Sequence, residues 1–314
     1  MTRVSIVIPA YNEEGNLELL YARLCEVSAQ LDDVELEFLF VDDASTDRTP
    51  DLLQTFANND SRVRLIRFAR NFGSHIAYLA GITHAKGDAM IIMSADLQDP
   101  PELIPSLIDR WREGYEIVWA VRESREDPLR NVLQARLFYW LFRKIAISDF
   151  PEQGSDVVLI SSKVAKYIVK SREKNTSFFG LIAWMGLRQS QIPYTRSERH
   201  SGETKWTFSK TIKHAVDAFI SFSYTPIRWA SYLGMGFILM GAMLLGILLG
   251  LMLIYEQSIS GWLWILGAVC IIGGIQTIVI GILGEYVWRI LDQSRHRPMY
   301  ILEKEDAAPV NEEP

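Results

Sequence analysis

The sequence predicts an α/β protein in which a mainly parallel sheet is covered by helices and followed by helical segments of another character. Three observations predict it: short aliphatic runs alternate with stretches of helical periodicity, acidic clusters follow directly after those runs, and two long uncharged runs occupy the C-terminal third.

Val4-Ser5-Ile6-Val7-Ile8 is β-rich and stops at Pro9, after which Glu14 to Leu31 places apolar residues at helical spacing. Glu37 to Val41 repeats the pattern, with an acidic turn and a helix from Pro50 to Ala57. Val63 to Phe68 then precedes a loop and a helix from His75 to Ala85. Ala89 to Met93 leads through a second acidic loop to a helix over Pro101 to Arg112, and Gly114 to Ala120 reads as a further strand. In open sheets built this way, ligands gather beyond the carboxyl ends of the strands. No sustained repeat appears, and the tail from Glu303 to Pro314 has the composition of a disordered segment.

A net charge of -6 argues against a nucleic-acid partner, which calls for a basic face. The two cysteines, Cys25 and Cys270, fall in segments of opposite character and predict no disulfide. No charged leader with an apolar stretch and a cleavage site precedes Val4, so no cleavable secretion signal is expected. Trp229 to Tyr255 and Trp262 to Gly284 lack formal charge and exceed the ~20 residues that span a bilayer core. Arg196, Arg199, Lys205, Lys210, Lys213 and Arg228 precede the first run, and Arg289, Arg295 and Arg297 follow the second. The expectation is a multi-pass protein of the inner membrane with its catalytic part and both termini on the cytoplasmic side. The expected organisation is a catalytic domain over 1–205, a juxtamembrane amphipathic helix over 206–228, two transmembrane helices over 229–290 and a tail over 291–314.

Three loops carry the chemistry. Pro9-Ala10-Tyr11-Asn12-Glu13-Glu14 and Asp42-Asp43-Ala44-Ser45-Thr46-Asp47 each put carboxylates at a strand end, although Asp43, Ser45 and Asp47 serve equally well as strand stops and helix caps. The third, Ser94-Ala95-Asp96-Leu97-Gln98-Asp99-Pro100-Pro101-Glu102, groups carboxylate and amide oxygens that suit a hard divalent cation shared with a diphosphate.

In this order and spacing the loops resemble the family-2 glycosyltransferases of the GT-A fold, on the strings Val7-Ile8-Pro9-Ala10-Tyr11-Asn12-Glu13-Glu14, Val41 to Asp47 and Asp96 to Glu102. Arg70-Asn71-Phe72-Gly73, Arg199 to Trp206 and Leu283 to Ile290 narrow the resemblance to polyprenyl-phosphate glycosyltransferases, a group that includes bactoprenol glucosyltransferases and dolichol-phosphate mannose synthases. The resemblance implies a Rossmann-like catalytic domain followed by interfacial helices and a two-helix transmembrane hairpin. It implies that Pro9, Tyr11, Asn12, Glu13, Asp42 and Asp43 hold the base and ribose of a nucleotide sugar, expected to be UDP-linked. Asp96 and Gln98 would hold Mg2+ or Mn2+ and the donor diphosphate, which Arg199 and Lys205 approach from a flexible loop. Asp156 would be the catalytic base. A homo-oligomer, a tetramer by analogy, is also implied. The sequence departs from the family pattern at Ser94, where the first aspartate of the Asp-x-Asp pair is usual, and at Val158, where an arginine is usual.

On the acceptor side, Arg122, Arg125 and Arg130 follow the strand that ends at Ala120. Guanidinium forks match phosphate oxygens, so Arg122 and Arg130 are candidates for a polyprenyl phosphate, with a solvated basic face as the alternative. Asn131 to Ile147 and Phe208 to Phe222 carry apolar stripes that suit helices lying on a membrane surface or ordinary core packing. The expected reaction is inverting sugar transfer to the lipid phosphate. A processive polysaccharide synthase and a catalytically weak sugar-binding subunit are the rivals, and the Gln-x-x-Arg-Trp string of the former is absent from the sequence.

Overall fold

Residues 4–8 and 38–41 are aliphatic or aromatic but for Ser5, and such runs form strands covered on both faces. A computed structural model of the chain describes residues 1–123, 140, 143–144, 147, 150–151, 155–171, 177–195, 232, 239, 243, 261–295 and 297–305. It divides into two units, one of Met1–Ala218 with Pro298–Pro314 and one of Phe219–Arg297.

In the first unit, β1 (Thr2–Ala10), α1 (Leu17–Ser28), β2 (Val34–Asp42), α2 (Thr49–Asn59), β3 (Val63–Phe68), α3 (Ser74–His84) and β4 (Ala89–Ile92) follow in the predicted alternation. A 3-10 turn at Pro101–Leu103 leads into α4 (Ile104–Arg112) and β5 (Ile117–Arg122). β6 (Val157–Ser161), α5 (Ser162–Ser171), α6 (Phe178–Trp184), β7 (Gln189–Tyr194) and β8 (Leu302–Glu305) complete the described elements of this unit. The eight strands lie in the order β7-β5-β6-β4-β1-β2-β3-β8. β1 pairs in parallel with β2 and β4, as β2 does with β3 and β5 with β7. β6 runs antiparallel to both β4 and β5, and β8 antiparallel to β3.

One consequence of this topology positions the site. β4 and β5 are each antiparallel to β6, so they run the same way as β1 and β2. The carboxyl ends of β1, β2, β4, β5 and β7 and the amino end of β6 therefore share one rim. The core beneath is built from Ile6, Ile8, Phe38, Phe40, Ile91 and Leu159, all fully buried, with Leu17, Leu20 and Leu24 of α1 packed on it at helical spacing.

Toward the other end of the sheet sits a buried polar cluster. Glu37 accepts from Arg64 Nη1 (2.5 Å), from the Lys86 amide (3.1 Å) and from Ser5 Oγ. Burial raises the Glu37 pKa, but the Ser5, Arg64 and Lys86 bonds outweigh it and hold the carboxyl below its ordinary range. Gly87 closes the cluster by donating its amide to Ser5 Oγ (2.9 Å). A Cβ there would lie 2.7 Å from both the Ala89 carbonyl and the Ser5 amide, backbone atoms that cannot step aside. Gly87→Ala is expected to destabilise the protein by about 1–3 kcal/mol through overpacking, as measured by denaturant unfolding of the full chain.

The second unit contains α7 (Gly261–Ser294), on which Ile265, Val269, Ile272 and Ile280 are exposed. The run expected to span from Trp262 to Gly284 does not end there, because the helix continues through Glu285, Arg289 and Asp292. The run from Trp229 to Tyr255 lies outside the described residues except for Tyr232, Leu239 and Met243, as do most of 131–147 and all of 208–222. Among the described residues no helix is long and apolar enough to cross a membrane. On that finding the expected multi-pass inner-membrane location is corrected. Leu302–Glu305, part of the expected tail, is instead an edge strand of the catalytic sheet.

Candidate active site

Among the described residues, three other than glycine have left-handed backbone: Asn12 (φ 53°), Ala44 (φ 59°) and Leu97 (φ 60°). One falls in each of the three loops after β1, β2 and β4, which are adjacent in the sheet. Backbone held in this sparse region costs on the order of 1–3 kcal/mol per residue and collects at functional sites, so its recurrence in these loops marks the rim independently of any motif.

The first two loops are stitched together by their own polar groups. The Asn12 amide donates to Ser45 Oγ (2.9 Å), and Asn12 Oδ1 accepts from the Thr46 amide (2.8 Å). The Glu13 amide donates to Thr49 Oγ1 (2.8 Å), while Glu13 Oε2 accepts from Asn16 Nδ2 (2.6 Å). Asp47 accepts from the amides of Glu14 (3.3 Å) and Thr49 (3.0 Å), which settles its role as a loop and helix-start fastener. Pro9 and Tyr11 flank this web and are half-buried.

The two adjacent aspartates of the second loop are used differently. Asp43 accepts from the amides of Phe72 (2.6 Å) and Gly73 (2.8 Å), one on each carboxylate oxygen, and so fixes the loop before α3. Gly73 has φ +94°, backbone that only glycine adopts without strain. Asp42 is fully buried, and its Oδ1 accepts from the Ser45 amide (3.0 Å). Its Oδ2 accepts no hydrogen bond among the described residues and lies 3.5 Å from Arg67 Nε. Burial pushes both carboxyls above their ordinary range, against the opposing pull of these donors.

The third loop gathers at Ser94. Its hydroxyl lies 2.6 Å from Asp96 Oδ1 and 3.2 Å from Asp99 Oδ2, a single hydroxyl set between two buried carboxylates. The Gln98 amide donates to Asp96 Oδ1 (3.2 Å). Tyr194, at the end of β7, donates its hydroxyl to Asp99 Oδ1 (2.5 Å). Tyr78 of α3 is buried beside the same loop. Burial first, then the charges of Asp99 and Asp96, raise its hydroxyl pKa well above the ordinary value. Burial and Asp99 do the same to Tyr194.

Beside this loop, Arg122 ends β5 opposite Tyr194 in register and forms an ion pair with Asp156 at the start of β6. The pair is lopsided, with the Arg122 side chain 11% exposed and that of Asp156 42%. The rim thus brings together Asn12, Glu13, Asp42, Asp96, Gln98, Arg122 and Asp156. Arg130, Arg199 and Lys205 lie outside the described residues. Tyr78 and Tyr194 were not singled out as site residues from the sequence. For the two tyrosines the only available signal was an aromatic residue in an otherwise ordinary helix or strand.

Asp96 and Asp99, linked through the Ser94 hydroxyl, offer hard carboxylate oxygens. No group of three or more His, Cys, Asp or Glu residues suited to a metal occurs among the described residues. Two carboxylates fit a cation such as Mg2+ that keeps few protein ligands and takes substrate phosphate oxygens for the rest.

Residues 5–176 match the family model described as Glycosyl transferase family 2. An uncharacterized glycosyltransferase, YkcC of Bacillus subtilis, is 39% identical over 301 residues, covering 96% of this chain and 93% of its own length. The bactoprenol glucosyl transferase of Shigella phage SfV is 35% identical over 305 residues, 96% of this chain and 99% of that protein. A solved mannosyltransferase of Pyrobaculum calidifontis, in complex with GDP-Man and Mn2+, aligns over 69% of this chain and 62% of its own with 21% identity and a TM-score of 0.48.

Proposed function

We propose, from the premise that this chain belongs to glycosyl transferase family 2, that it moves a sugar from a nucleotide-sugar donor to the phosphate of a polyprenyl carrier, with inversion at the anomeric carbon. The observation that carries the proposal is the shared rim, where the strained loops after β1, β2 and β4 stand beside the Arg122–Asp156 pair. Near-full-length likeness to a bactoprenol glucosyl transferase supports the choice of acceptor.

The donor half follows from the first two loops. Asn12 and Glu13 present amide and carboxylate groups to the nucleoside, with Pro9 and Tyr11 as its apolar border and the buried Asp42 anchoring the second loop behind them through Ser45. Asp43 acts at one remove, by fixing the Phe72–Gly73 backbone. Asp96 and Gln98 would hold Mg2+ or Mn2+, which when bound neutralises charge on the departing nucleoside diphosphate. Ser94 fits this arrangement because a neutral hydroxyl between Asp96 and Asp99 separates two carboxylates that would otherwise repel. Ser94→Asp is expected to lower the half-saturating Mn2+ concentration several-fold and to lower the melting temperature of the metal-free protein, as read by thermal shift across a Mn2+ series.

The acceptor half rests on Arg122 and Asp156. A phosphate monoester has its second pKa near ~6 and is largely dianionic at neutral pH, so little proton abstraction is required. A lipid-phosphate oxygen attacks the anomeric carbon, the bond from that carbon to the diphosphate breaks, and the nucleoside diphosphate leaves with the electron pair. Arg122 offers its guanidinium to the phosphate, and Asp156 holds that guanidinium in place until the phosphate arrives.

Incubating the purified full chain with sugar-labelled UDP-glucose and undecaprenyl phosphate tests the proposal. Label in a lipid-linked monosaccharide is expected. A polymeric product, or no transfer from any nucleotide sugar offered, overturns it.

A further inference from the structure

Arg67, on β3, joins two parts of the chain that are remote in sequence. Its Nε lies 2.8 Å from Glu303 Oε2 on β8 and 3.5 Å from Asp42 Oδ2 on β2. The segment that brings Glu303 there is fastened at several points. Ile301 accepts from the Ala69 amide (2.9 Å), and β8 pairs with β3 from Ile66 to Phe68. Tyr300 stacks on Phe68 with ring centroids 5.3 Å apart, and its hydroxyl lies 3.2 Å from Nε2 of the buried His84. Glu303 is itself largely exposed, so an ion pair made only with solvent-facing groups would contribute little. What distinguishes this pair is its other end, the fully buried Asp42 carboxylate, whose Oδ2 accepts no hydrogen bond among the described residues.

We propose that the C-terminal strand is a working part of the nucleotide site, and that Arg67, held between Glu303 and Asp42, is a positioning residue that keeps the buried Asp42 an ionised anchor of the Ser45 loop, and through Ser45 of the Asn12 backbone, where the donor nucleoside sits. This rests on the reading of the first two loops as the seat of a nucleoside diphosphate. The charged groups facing Asp42 are Arg67 from β3 and, on its own loop, Asp43 and Asp47. Glu303 of β8 acts through Arg67, and β1 offers only Ala10 in register opposite. Arg67 is thus the cation that offsets burial and two like charges. Without it, Asp42 protonates at higher pH. The carboxylate form exists above the pKa, so affinity for a nucleoside seated on the loop that Asp42 anchors is lost as pH falls, and the loss sets in at higher pH in the variant.

The test measures UDP binding to the full chain by calorimetry from pH 5.5 to 8.5, with GDP as a second probe, beside donor KM and kcat. Arg67→Met is expected to weaken binding about tenfold at neutral pH. Its acid limb moves to higher pH, with donor KM raised and kcat at saturating donor changed by less than about twofold. Arg67→Lys restores part of the affinity, and Glu303→Gln gives a smaller loss of the same kind. Unchanged affinity and pH profile in a folded Arg67→Met protein overturn the proposal, as does a loss confined to kcat. Should Arg67→Met fail to fold, wild-type UDP affinity in Glu303→Gln overturns it instead. A wild-type chain that binds neither UDP nor GDP removes the nucleotide site itself, an outcome distinct from wild-type binding that the variants leave untouched.

Discussion

Asp96→Asn is expected to lower turnover by about 10²–10³-fold, the size of loss that follows when one group stabilising developing charge is removed. The substitution keeps the shape of the side chain and its place in the loop, since an amide oxygen still accepts from Gln98 and Ser94. It removes one of two negative charges at the end of β4. The defect therefore lies in kcat and in the dependence on divalent cation, with stability nearly unchanged. Initial rates across a Mn2+ series, with thermal melts of both proteins, check this. A variant with wild-type rate and metal dependence would remove Asp96 from the chemistry.

The second large effect is expected at Asp156. Asp156→Asn breaks the charge pairing with Arg122 while leaving the start of β6 in place. Turnover is expected to fall about 10²-fold, the size of loss that a small misplacement of a reacting group brings when Arg122 is no longer held in line. UDP affinity stays at the wild-type value, because Asp156 belongs to the acceptor side of the rim. The discriminating readout is acceptor KM. Arg122 no longer has a carboxylate to leave, so KM for undecaprenyl phosphate falls or holds as kcat drops. A raised acceptor KM with unchanged kcat would instead make Asp156 a binding group and nothing more.

The parallel half of the sheet was legible because its strands are buried on both faces and write themselves as aliphatic runs: Val4 to Ile8, Phe38 to Val41, Ala89 to Ile92. β8 was not, because an edge strand is allowed polar residues, and Leu302-Glu303-Lys304-Glu305 reads as solvent-facing tail. β6 escaped notice for another reason. Its direction is set by pairing with β4 and β5, and nothing local in Val157 to Ser161 encodes that.

The site shows the same division. Asn12, Asp42 and Asp96 stood out in the sequence because polar and acidic residues follow strands there, and their roles came from the family resemblance. Asp43 was identifiable as an acid but not as the anchor of the Phe72 and Gly73 amides, which depends on a contact across 29 and 30 residues. Tyr194 reaches Asp99 across 95 residues, and Arg67 reaches Glu303 from another strand, and contacts at such separation leave no periodic trace. The uncharged runs near the C-terminus were read by length and lack of charge, whereas among the described residues no helix is long and apolar enough to cross a membrane.

The antiparallel course of β6 has an architectural corollary. The chain departs from the end of β5 and re-enters at the start of β6 at the same edge of the sheet, and Arg122 and Asp156 clasp each other at that gateway. β5 and β6 are adjacent and antiparallel, so the chain joining Glu123 to Ser155 starts and finishes on one side of the sheet.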